Sequence, residues 1–112
     1  MDEFIMYLDR RIEDGRTEIE KLTAEGRRDE ANFARVRTNI YDVCKTVSRT
    51  LMNRPSAGVP AVRAQLERFH GEWSAALERA KEHGNIQAAA VEETKLTALE
   101  DIIAHFEEAA EA

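Results

Sequence analysis

The sequence has one cysteine, two prolines, five glycines and few aromatics, with Phe, Trp and Tyr making up 6% of its 112 residues. One cysteine excludes an intrachain disulfide framework and a multi-cysteine zinc site. The low proline and glycine content excludes collagen-like and low-complexity linker classes, and argues against a loop-rich sandwich. No uncharged apolar run approaches the ~20 residues needed to cross a bilayer. There is no phosphate-cradling glycine loop, no dinucleotide fingerprint and no nucleophile elbow. The chain begins Met1-Asp2-Glu3, acidic where a secretory leader would be basic, and the apolar cluster Phe4 to Leu8 is too short for a leader's core. Together with lone Cys44, which suits a reducing compartment, this predicts a cytoplasmic protein. The net charge of −6 repels phosphate backbones, so neither nucleic acid nor membrane is expected as a partner.

What is present is enough for a core. Ile, Leu, Val, Phe, Met, Tyr and Trp supply 30 large side chains, beside 17 alanines. A domain of this length buries roughly 65% of its unfolded surface without metals or disulfides. Residues 1–112 are therefore expected to form one helical domain, with helices at about 2–25, 28–54, 60–83 and 86–110. In the first helix Ile5, Leu8, Ile12, Gly15, Ile19 and Leu22 recur at spacings of three and four, a period near 3.5. Gly26 supplies its C-terminal cap. The second carries Phe33, Val36, Ile40, Val43, Val47 and Leu51 with Cys44 alongside, and ends before Pro55. Pro60 suits the first turn of the third, whose stripe is Val62, Leu66, Phe69, Trp73, Leu77 and Ala80. His83 and Gly84 close it, and Asn85 caps the fourth. That helix has two apolar rows, Ala88, Val91, Leu99, Ile102, Phe106 and Ala109, and Leu96, Ile103 and Ala110. So wide a face predicts more than one neighbour. No stretch alternates with period two for long, so no sheet is expected. The predicted fold is all-α, an antiparallel up-down-up-down four-helix bundle made of two long αα-hairpins.

The halves echo one another. Gly26 is followed by Ala31, Phe33, Arg37 and Ile40, and Gly84 by Ala89, Val91, Lys95 and Ala98, at a constant offset of 58. The segment Gly26-Arg-Arg-Asp-Glu-Ala31 resembles the inter-helix turn of tetratricopeptide repeats, which would imply a protein-binding scaffold. The helices here are nearly twice as long as that repeat's, and its Trp, Tyr and Pro positions are missing, so the chain is not assigned to the family.

Charge is uneven. Residues 1–25 carry a net −4, 26–54 a net +4, 55–84 zero and 85–112 a net −6. One reading places the basic second helix between the acidic first and fourth, with helices 1 and 3 on a diagonal. The other makes Arg28, Arg35, Arg37, Lys45 and Arg49 a surface for an acidic partner. The acidic end of helix 4 (Glu100, Asp101, Glu107, Glu108 and Glu111) opposes the helix dipole, which predicts fraying or a basic partner.

Glu67-x-x-His70 has the spacing of di-iron and di-manganese bundles, but that chemistry needs two such pairs and two further inward acids. Asp101 and His105 are spaced differently, and His105 is expected at the surface, His70 beside Leu66 and Trp73. Cys44 lies among Ile40, Val43 and Val47, where burial silences a thiol. Gly15 and Gly71 are candidates for close helix crossings, and Trp73 for a core anchor. Phe4, Met6 and Tyr7 cannot all face one core, so at least one is expected outside. No catalytic, cofactor-binding or metal-ligating residues and no cofactor are expected. The chain reads as a non-enzymatic helical protein-interaction module, self-associating as a homodimer. An adaptor or chaperone holding a client's amphipathic helix is the alternative, and would show an exposed apolar patch on helix 4. A metal-binding bundle enzyme is a lesser alternative.

Overall fold

In the computed structural model, which describes residues 1–111, four helices follow one another: α1 (Asp2–Ala24), α2 (Arg28–Met52), α3 (Val59–Glu82) and α4 (Ile86–Glu111). Each contains 23–26 residues, ~35–39 Å at 1.5 Å per residue. They form an all-α bundle of two hairpins, as the periodicity predicts.

The two tips share one turn. Gly26 (φ +74°) and Gly84 (φ +66°) take the left-handed conformation that a side chain disfavours. At the first tip, Arg27 N–H reaches Leu22 C=O at 2.9 Å and Gly26 N–H reaches Thr23 C=O at 3.1 Å. At the second, Asn85 N–H reaches Ala80 C=O at 2.9 Å and Gly84 N–H reaches Lys81 C=O at 3.1 Å. Both are Schellman closures, satisfying carbonyls that a helix end leaves free, and every residue in one is 58 positions from its counterpart. Asn85 also caps α4 through its Oδ1, which accepts Ala88 N–H at 3.0 Å. The linker between hairpins begins earlier than predicted. Helix α2 stops at Met52, two residues before Arg54, because the chain folds back there: Arg54 N–H bonds Leu51 C=O at 3.2 Å and Gly58 N–H bonds the same carbonyl at 3.4 Å.

The helices alternate in direction, and the cross-section is a flattened rhombus. Helices α2 and α4 meet across the short diagonal, whereas the backbones of α1 and α3 stand farther apart. The Cα envelope measures 44 × 35 × 20 Å. Helix α2 thus lies between α1 and α4, and the wide face of α4 meets α1, α2 and α3.

The main core lies toward one end. It gathers Phe4, Leu8 and Ile12 from the first half of α1, Ile40, Tyr41 and Cys44 from the middle and second half of α2, Val62 and Leu66 from the first half of α3, and Ala98, Leu99, Ile102 and Phe106 from the middle and second half of α4. Phe4 and Phe106 meet edge to face, centroids 5.4 Å apart. A smaller cluster of Leu22, Ala31 and Ala34 belongs to the first hairpin alone.

Three expectations are corrected. The buried face of α2 is Ala31, Ala34, Ile40, Tyr41, Cys44 and Ser48; Phe33, Val36, Val43 and Val47 are only half-buried. The large residues set the predicted stripe, but α1 and α2 pack through small ones, with Gly15 against Thr38 at their crossing. Trp73 is not a core anchor. It lies half-buried on a flank, stacked on Phe69 with centroids 5.0 Å apart, and Lys95 Nζ sits 5.7 Å from its ring. Gly71 marks no crossing, since it is exposed and a Cβ there would meet nothing within 4 Å. As expected of the first turn, Phe4 goes inside and Met6 is 60% exposed.

Candidate protein-binding groove

Polar chemistry concentrates at one helix junction. Tyr7 on α1 and Tyr41 on α2 both donate to Asp101 Oδ2 on α4, the bond from Tyr41 spanning 2.5 Å. Arg11 Nη2 reaches the Tyr41 hydroxyl at 3.3 Å, and its guanidinium carbon lies 5.0 Å from the Tyr41 ring centre. His105 stacks on Tyr7 with centroids 3.7 Å apart, and its Nδ1 faces Asp101 Oδ1 at 3.4 Å. His105 is therefore half-buried against a partner, where the sequence placed it at the surface.

Burial and then the bond to Asp101 hold both phenols above the ordinary tyrosine range, Tyr7 well above it. For Asp101, burial pushes the carboxyl up. The bonds from Tyr41 and Tyr7 and the charges of His105 and Arg11 outweigh it and hold the group below its usual value. At neutral pH the tyrosines are thus protonated donors and the aspartate an ionised acceptor. That suits a lock between helices, because none of the three is poised to exchange a proton.

The other residues singled out from the sequence stay apart. Glu67 is exposed, and His70 Nε2 lies 3.7 Å from Glu100 Oε1 across the α3–α4 flank. Among the described residues, no three His, Cys, Asp or Glu side chains gather as a metal would need. Cys44 is fully buried, and burial pushes its thiol up to about 12. The basic residues of α2 are partly used inside the fold. Lys45 pairs with Asp9 and Arg37 with Glu18 (2.9 Å), both on α1, while Arg35 bonds Asn32 and Thr23. Charge therefore matches α2 to α1. No ion pair joins α2 to α4 among the described residues. The acidic end of α4 is met instead from α3, where Arg63 grips Glu107 with Nε and Nη2 at 2.8 and 3.1 Å.

The regular apolar positions of α1 and α4 are largely used inside the chain. Leu8, Ile12, Gly15 and Leu22 of α1 and Leu96 of α4 are buried in the chain's own packing. Two large apolar side chains are left outside, Met6 at the start of α1 and Ile86 near the glycine tips. Ile86, the first residue of α4, is 85% exposed. It heads a stripe along one side of that helix, through Ala89, Ala90, Glu93, Thr94 and Thr97. This stripe lines two adjoining concavities, the first bordered by Lys81 and the second by Phe33 and Arg37 of α2. Phe33 also borders a third, with Val36, Val91, Asp29, Asn32 and Gln87. The result is a groove over the parallel N-terminal halves of α2 and α4, apolar along its floor and charged on its rim. It was illegible in the sequence because Ile86 belongs to neither apolar row of α4. The signal that could have found it was a large β-branched residue directly after the Asn85 cap, with three alanines following Gln87.

The chain matches no protein-family model, no curated protein and no solved structure. No helix among the described residues is long and apolar enough to cross a membrane.

Proposed function

We propose that the protein is a non-enzymatic helical interaction module of the cytoplasm that binds protein through the groove over α2 and α4. The observation that carries this reading is Ile86, 85% exposed at the head of an alanine-lined stripe that runs into the Phe33 concavity. Exposed apolar surface rimmed by polar residues marks interaction sites. Small residues along a helix let a second helix approach closely. The phenol–aspartate lock supports the same reading, since it ties α1, α2 and α4 together away from the groove and offers no acid or base for turnover. Cytoplasmic placement rests on lone buried Cys44.

Native mass spectrometry of the protein captured from its own cells tests the reading. Complexes of defined protein stoichiometry are expected. Repeated recovery of the bare 12.7 kDa chain would overturn it.

A further inference from the structure

Resting on that reading, we propose that the occupant of the groove is a second copy of this chain, docked about a two-fold axis near Ala90. A two-fold interface must contain its own complement, so that residue i meets j and j meets i. The stripe on α4 has this property. Ile86 projects four residues before Ala90, and Thr94, in the wall of the Phe33 concavity, lies four residues after it. Crossing two antiparallel α4 helices at Ala90 carries each Ile86 toward the concavity formed by Phe33, Thr94 and Thr97 of the other copy. Ala89 and Ala90 at the crossing carry no bulk to hold the backbones apart.

The rim is complementary in the same sense. Lys81 and Glu93 border one concavity, and neither has an ion-pair partner among the described residues. That concavity, with one free charge of each sign, does not select a strongly acidic or basic partner. Under a two-fold it pairs with itself, Lys81 of each copy toward Glu93 of the other. The neighbouring Arg37 is already held by Glu18, so it adds no unanswered charge at the socket.

Sedimentation equilibrium of the purified full chain, with circular dichroism to verify helix content, decides the matter. The wild type should form a concentration-dependent dimer of twice 12.7 kDa. Ile86→Asp, at a site too exposed to carry the fold, should raise the dimer dissociation constant ~30-fold or more with helix content unchanged. Lys81→Glu and Glu93→Lys should each weaken the dimer by ~2- to 5-fold, and combining them should recover most of the loss. A wild type that stays monomeric to millimolar concentration overturns the second copy. So does a dimer indifferent to Ile86→Asp, or a charge pair whose effects merely add. Complexes with other proteins in the native capture, beside a monomeric purified chain, would leave the interaction module standing and remove the homodimer alone.

Discussion

The hydroxyl of Thr38 on α2 stands where a side chain on Gly15 of α1 would begin. A Cβ built on Gly15 would also lie 2.9 Å from Thr38 Cγ2 and 3.0 Å from its Cβ. Thr38 is not free to swing aside, because its hydroxyl donates to Ala34 C=O at 2.7 Å. The seam glycine of α1 is therefore a packing residue, and it sets how closely the first hairpin closes.

Gly15→Ala should destabilise the protein by ~1–3 kcal/mol, overpacking outweighing the ~1 kcal/mol that alanine gains in a helix. Gly71→Ala should do the opposite, stabilising by up to ~1 kcal/mol, since its added methyl meets open space. Urea denaturation of the two variants beside wild type measures both. Midpoints that move in the same direction would contradict the packing assigned here.

The lock of Tyr7, Tyr41 and Asp101 predicts losses at both ends of the pH scale. A tyrosine whose folded pKa is raised contributes stability that is intact below its unfolded value, ~10. That stability drains away as pH rises through the folded value. Asp101, held low, contributes stability that is intact above ~3.9 and disappears as pH falls through the folded value. The melting temperature should thus decline above pH ~10 and below pH ~4. Tyr41→Phe should cost ~1–3 kcal/mol at pH 7, because a buried donor to a charged acceptor is removed and Arg11 loses its own acceptor. The variant should also show a shallower alkaline decline. Thermal melts of both proteins from pH 3 to 11 supply the comparison, and parallel alkaline limbs would contradict the role given to Tyr41.

Ser48 is 1% exposed, and its hydroxyl has no hydrogen-bond partner among the described residues. Burying such a group unpaired costs ~1–3 kcal/mol. Ser48→Ala should therefore be neutral or stabilising by ~1 kcal/mol, whereas most buried substitutions destabilise. Equilibrium unfolding reads the sign directly.

The turns and the four helices were legible because they depend on local chemistry: a left-handed glycine, an asparagine cap, a proline at the start of α3. The inward face of α1 was legible too, since its large residues repeat regularly. The face of α2 was not, because hydrophobic periodicity weighs side chains by size, and the α1–α2 contact selects Ala31, Ala34 and Ser48 for being small. Tyr7 and Asp101 are 94 residues apart, and no pattern along the chain joins them. The groove was hidden for a related reason. Phe33 reads as core until α2 turns its alanines inward and leaves the ring half outside.

The uneven placement of the core has a mechanical consequence. The main cluster that clasps one hairpin to the other lies in the middle and linker-side parts of the helices, while Leu22, Ala31 and Ala34 serve the first hairpin alone. The molecule is built like a pair of tongs riveted near the handles. The glycine tips therefore stand farthest from the side chains that hold the two hairpins together.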